Sequence, residues 1–427
     1  MFEKEETNYI RIMVKKLYKY IKFAIVNSAF LTSTYCVANG TIYSNKINTL
    51  QVVVDNDFLS PTVVTMGKGQ TVRIGFDEMS HETRRLTYHI THCTPDWTPS
   101  AELLESDYLE GFNDNVIDNY SNSINTTVLF THYHFSIPNE QCQLKLSGNY
   151  LVTVTDDDTG ERLLEARFMM VDPKMTLRME MRTNTDIDVN KSHQQLSMAV
   201  NFNGLRVTNS EEQLYTIVTQ NDRESTKRVN VEPDMKTPES LTWQHNRKLI
   251  FDGGNEYRKY EVLSLSHTTM GIEEISWDGH NYQAYPYISM PRQNYIYDED
   301  ADGAFYIRNS DNIDNDICSD YVYVNYRLST KRQINRHVVV DGKWTTHADK
   351  NKYVAIWDDE QKCYTLSILQ KQGYYSFQYL TIGTDGEEEL LATEGNFHET
   401  ENSYQAYVYY KPSGERYWQL VGYRQLR

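Results

Sequence analysis

Apolar and polar residues alternate at period two along most of this chain, and the clearest stretch is Phe130–Val154. Two alternating runs there flank a Pro138-Asn139 break and a Gly148-Asn149 turn, a pattern that predicts strand, turn, strand. With Tyr, Phe, Ile and Val on one side, each run describes a pleated surface buried on one face and wet on the other. Upstream and downstream, the same alternation predicts strands at 50–54, 71–76, 84–91, 127–137, 149–155 and 167–171. A second series follows at 175–181, 196–202, 214–220, 257–265, 282–287, 304–307 and 321–328. A third runs through 337–340, 353–357, 364–369, 374–382, 404–410 and 418–423. Between strands 84–91 and 127–137 lies a long connection, 100–125. Its first part, 100–112, reads as a short helix ended by Gly111, and its remainder is rich in Asn. A connection of this length is more often functional than idle.

The pattern predicts an all-β protein of tandem immunoglobulin-like or early-set β-sandwich domains. At 427 residues the chain is too long for one sandwich. The expected division is a first domain at 46–172, closed by Asp172-Pro173, a second at 173–332 and a third at 333–427. In the third, Gly342-Lys343-Trp344 after the first strand and the later Lys371–Tyr379 run resemble early-set immunoglobulin-like domains. Aromatic content supports the class: 33 Tyr, 14 Phe and 6 Trp favour half-buried strands over helices.

The amino end departs from this grammar. A basic run, 14–22, precedes apolar 23–31 and the small residues around Ala38, the order of a secretory signal peptide over residues 1–38 with cleavage after Ala38. The acidic residues ahead of that run suggest that translation starts at Met13. The apolar run is shorter than the roughly 20 residues a membrane span needs, so no direct membrane insertion is expected. Residues 1–38 carry six basic and three acidic side chains, so their removal takes the formal net charge from −17 to −20. Such a charge repels nucleic acid and anionic headgroups. Four cysteines remain, Cys93, Cys142, Cys318 and Cys363, at spacings that match no zinc or redox motif. Cys93 with Cys142 is the one pair to consider, and buried free thiols are the plainer reading.

Candidate chemistry is sparse. Asp298, Asp300 and Asp302, followed by Gly303, match the first half of a calcium loop, but the twelfth position is Asn309 rather than a bidentate Glu, and an acidic β-turn is the simpler account. His132 and His134 share one strand face, with His89 and His92 on another strand, which permits zinc but fits surface or turn-capping histidines better. Gly253-Gly254 predicts a tight turn with at least one residue at positive φ, delivering Glu256 and Arg258 to one strand face, where a cross-strand ion pair or turn-bracing hydrogen bonds are a plainer account than a catalytic carboxylate. No nucleophile elbow, H-E-x-x-H or phosphate loop occurs, so no catalytic residue and no cofactor are expected. Exposed-looking Leu104, Tyr108 and Phe112 on the long connection are candidate partner-binding residues. Trp344 and Trp357 would serve as stacking platforms if the protein bound glycans.

Taken in order, Trp97, Ser106–Phe112, Thr131-His132-Tyr133, Ile137-Pro138-Asn139, Ser147-Gly148-Asn149-Tyr150, Arg167-Phe168-Met169, Gln220-Asn221, Gly253–Arg258, Asp320-Tyr321-Val322, Lys371–Tyr375, Glu399–Asn402 and Val408-Tyr409-Tyr410 resemble the Bacteroidetes plug protein of the type IX secretion system. The resemblance implies a non-enzymatic periplasmic protein associated with the outer membrane. Its partner would be the translocon barrel whose channel it seals. The alternative expectation is an exported glycan-binding sandwich protein.

Overall fold

The computed structural model describes residues 40–311 and 313–427; the expected signal peptide lies outside them. Almost every regular segment is a strand, as the alternation requires. The first sandwich sets Ile47–Val54, Val72–Glu78, Thr131–Ile137 and Tyr120–Asn122 in one sheet. The facing sheet orders Gly40–Ile42, Arg162–Val171, Gly148–Asp156, Leu86–Cys93 and Asn115–Val116, with Val63–Thr65 parallel to Arg162–Val171. The two strands of the opening stretch therefore lie in opposite sheets. Tyr150, Val152 and Val154 point into the core with Phe76, Tyr133, Ile90 and Phe168, each side chain wholly buried. Burying one such side chain stabilises by about 1.5–3 kcal/mol, which fixes which face turns inward.

The second sandwich is built from two distant parts of the chain. One sheet holds Thr176–Arg182, His193–Asn201, Ser240–Trp243 and Met235–Lys236, with Ile250–Asp252 added to His193–Asn201. The other pairs Leu214–Gln220 with Tyr404–Tyr410, which pairs in turn with Gln419–Leu426. Leu196, Val200, Trp243, Tyr404, Val408 and Val421 form their common core.

Between Asp252 and Tyr404 the chain makes a third body. Its strands run Arg258–Val262, Gly373–Gly383, Arg336–Asp341, Val354–Asp358, Cys363–Lys371, Tyr321–Leu328, Tyr282–Pro286 and Ile272–Trp277. This sheet curls until its ends approach, where Glu261 N–H donates to the Met270 carbonyl at 2.9 Å. Tyr260, Tyr326, Trp344, Tyr375 and Phe377 pack inside it.

The expected boundary at 332/333 thus runs through two sheets: strands 404–410 and 418–423, assigned to the third domain, complete the second sandwich, while those from 257 to 328 join the third. Alternation says which face of a strand is buried but not which distant strand it pairs with. The expected helix at 100–112 is a single turn, Glu105–Tyr108, followed by a strand, Leu109–Gly111, paired with Cys142–Leu144. All four described cysteines are free, and Cys93, Cys142 and Cys363 are buried.

Candidate functional site

The long connection folds back over its own sandwich. Asp107 caps its single turn by accepting from Leu104 N–H at 2.9 Å, and Asn113 bonds both the N–H and the carbonyl of Ile90. Asn115–Val116 then joins the edge of one sheet and Tyr120–Asn122 the edge of the other, so the segment crosses the open end of the sandwich. Of the three candidate partner residues, Leu104 and Phe112 are 69% and 76% exposed, whereas Tyr108 is 5% exposed. The Tyr108 hydroxyl donates to the Ile90 carbonyl at 3.1 Å, and its ring packs against His92 and Tyr150. Tyr108 is therefore core, a correction to its expected exposure. A one-turn helix that ends in a strand points neighbouring apolar residues in opposite directions. Tyr120 and Ile124 add further exposed apolar side chains along the same connection, and Leu129 another just beyond it.

The acidic run separates rather than gathers its carboxylates. Asp298 pairs with Lys259 at 2.6 Å, Asp302 with Arg427 at 3.0 Å, and Asp300 turns inward to accept from the backbone N–H groups of Tyr257 and Asp302. Among the described residues no three His, Cys, Asp or Glu side chains converge as metal ligands would. Burial holds the Asp300 carboxyl up at about 7. The folded protein then keeps a proton that the unfolded chain has released. This stabilising contribution is complete below the unfolded value near 4 and is lost as pH rises through about 7. Asp300→Asn cannot ionise and is expected to flatten the decline in stability across that window. Urea unfolding at several pH values measures it; an unchanged slope would assign the titration to another group.

The four histidines also serve separate roles. His132 and His134 lie side by side with ring centroids 5.7 Å apart, while His89 pairs with Asp114 and His92 bonds Ser100 and the Ser147 carbonyl.

Charged side chains instead concentrate where the three bodies meet. Asp77, on the first sandwich, is wholly buried; it accepts from His132 Nδ1 at 2.7 Å, from the Tyr321 hydroxyl at 2.7 Å and from Lys371 Nζ at 2.6 Å. Lys371 also donates to the Asp316 carbonyl and lies 4.0 Å over the Phe130 ring. Burial alone would raise the Asp77 carboxyl, but the Lys371 ammonium and His132 outweigh it and hold the pKa below the ordinary range. Beside this group, Asp320 accepts from Thr127 N–H and hydroxyl and from Val128 N–H, tying the end of the long connection to the third body.

A second joint stands where the chain leaves and re-enters the second sandwich. Asn402 donates to the Gly253 carbonyl at 2.7 Å and to Gln194, and accepts from Asn221 at 2.8 Å. Glu256 accepts from the Tyr295 hydroxyl and Glu401 N–H, and Arg258 pairs with buried Glu394, which also holds Arg292. These are the braces expected of Glu256 and Arg258, and two of the partners, Glu401 and Glu394, lie over a hundred residues away. Gly254 has φ +67°, whereas Gly253 is needed for space: a Cβ there would fall on the Phe397 carbonyl. Gly254→Ala is expected to lower stability by about 1 kcal/mol and Gly253→Ala by up to about 3. Thermal melting ranks them, and a milder effect at Gly253 would mean that the crossing segments yield.

A third joint is the Tyr409 hydroxyl donating to Asn149 at 2.7 Å, above an apolar seam of Val171, Ile217, Tyr407 and Leu420. Trp344, expected to be exposed if it stacked on glycans, is buried and donates to the Ser376 carbonyl.

The molecule thus belongs to the class of stacked β-sandwich proteins whose buried polar groups fasten one body to the next. Residues 47–172 match the family described as type 9 secretion system plug protein, 1st domain. A hypothetical protein from Parabacteroides merdae, known from its crystal structure, is 34% identical, with a TM-score of 0.88 over 91% of this chain and 99% of that one. An alkylpurine DNA glycosylase from Pseudomonas fluorescens bound to DNA reaches only 15% identity and a TM-score of 0.15, over 31% of this chain and 30% of its own, and supports no comparison. No curated protein matches. By its first domain the chain belongs to the type 9 secretion system plug protein family.

Proposed function

We propose that this protein is a non-enzymatic periplasmic plug that seals the outer-membrane translocon barrel of the type 9 secretion system. The observation that carries the reading is the match of residues 47–172 to the plug family's first domain. Two structural features support it. The bodies are fastened by a buried ion pair and by buried side-chain amide bonds, which suits an object that must fill an opening without deforming. Leu104 and Phe112 project from the connection across one end of the first sandwich, where a partner would cover them. Among the described residues no helix is long and apolar enough to cross a membrane.

The test is purification of the tagged protein from the envelope of its host. A large outer-membrane barrel is expected to accompany it, and the pair Leu104→Ser with Phe112→Ser is expected to abolish that association while leaving the melting temperature within about a degree, since exposed substitutions change stability little. Absence of any barrel would overturn the plug reading. Retention of the barrel by the double variant would move the contact surface elsewhere on the molecule.

A further inference from the structure

A cleft of about 290 Å³ opens between the first sandwich and the curled sheet, lined from one side by the strand Ile47–Val54 and from the other by the segment around His347. Ile42 N–H donates to the His347 carbonyl at 2.5 Å and so seats that segment against the first sandwich. The His347 side chain is only 6% exposed, lines the cleft, and bonds no described residue. Burial pushes its imidazole down to about 4, so at neutral pH it presents one N–H donor and one bare nitrogen acceptor. Its nitrogens bond no described protein group and are open to the cleft, so whatever occupies the cleft can bond them.

The opposite wall carries a second departure from ordinary structure. Thr49 has φ +51°, a left-handed conformation that a β-branched residue avoids, at a point where the pairing of Ile47–Val54 with Val72–Glu78 slips register. Strain of this kind persists where the surroundings hold it, and it gathers at ligand sites. Here the Thr49 hydroxyl is held by Tyr321, and Asn48 and Thr49 both line the cleft.

The lining defines the ligand. Asn48, Thr49, Ser367 and His347 are neutral groups that both donate and accept, as each hydroxyl of a sugar does. Ile42, Ala348 and Ile368, each only partly buried, supply the apolar surface against which the C–H face of a ring packs. In a chain of net charge −17, no Asp or Glu lines this cleft, so it offers nothing to a cation. Its volume is at the lower end for ligand sites and suits one ring rather than a chain of them. We propose that this cleft binds a single neutral sugar ring, with His347, Asn48 and Thr49 contacting its hydroxyls. The site is separate from the exposed connection, so barrel binding and sugar binding are independently testable.

The cleft also touches Lys352 and Lys371, the second of which is paired with Asp77, and the charge of Lys352 makes a small anion the rival occupant. Saturation-transfer NMR on the full protein, with glucose, galactose, mannose and N-acetylglucosamine as probes and benzoate and inorganic phosphate as rivals, decides between them. At least one sugar is expected to bind. Two variants are expected to weaken it about tenfold or more: His347→Phe, which removes the imidazole, and Ser367→Tyr, which fills the cleft from its exposed rim and spares the core. Binding of benzoate or phosphate alone, no binding of any sugar, or sugar binding unchanged in a folded variant would each overturn the proposal.

Discussion

Lys371→Met is expected to destabilise the folded protein by about 3–5 kcal/mol, because it leaves the Asp77 carboxylate buried without its ammonium partner. Both groups are almost wholly out of water, on strands of different bodies, so the pair is unscreened by solvent and its loss loosens the first sandwich from the third body. His132 and Tyr321 remain to bond Asp77, which is why a second substitution, Asp77→Asn, is expected to recover part of the loss. Denaturant unfolding of both variants measures this, and a loss below about 1 kcal/mol in the single variant would refute the joint as a source of stability. The depressed Asp77 pKa fixes the pH dependence: its contribution is present above the unfolded value near 4 and is lost as pH falls through the lower folded value. Lys371→Met is accordingly expected to remove the share of the acid-side drop that Asp77 contributes, while lowered carboxyls such as Asp188 and Asp156 keep theirs.

Tyr108→Ala is the second large effect, with an expected cost of about 3–5 kcal/mol, in keeping with removal of a buried aromatic. Its hydroxyl bond to Ile90 disappears with the ring, and the space beside Tyr150 and His92 is left unfilled. The contrast with Leu104 and Phe112, four residues to either side, is the informative part. Those two are expected to alter partner binding without altering stability, and Tyr108 to alter stability whether or not a partner is present. Equal melting temperatures for Tyr108→Ala and the unaltered protein would overturn the assignment of this residue to the core.

The class and most of the strands were legible in the chain itself. Tyr150, Val152 and Val154 alternate with partly exposed neighbours because a pleated strand buries every second residue, and that constraint is written locally. The turn at Gly253-Gly254 was equally visible, since paired glycines mark a backbone that other residues avoid, though only the fold showed that Gly254 bends the chain while Gly253 makes room for Phe397. The ordered residues resembling the plug family were visible as letters: Asn149, Asn221, Asp320, Lys371, Asn402 and Tyr409. Their shared purpose was not, because each bonds a partner on another body.

What the tertiary structure alone decided is partnership across long separations. Leu214–Gln220 pairs with Tyr404–Tyr410 because both present apolar faces to the same core, a match that no window of neighbouring residues contains. The same holds for Tyr108, whose direction depends on where one helical turn gives way to a strand, and for His347, which shares a cleft with Thr49 although 298 residues separate them. Sequence by itself determined which residues seek burial and where the chain turns. Which distant surfaces meet was settled by the packing of whole faces, since burial is a property of the assembled layers and not of any one strand.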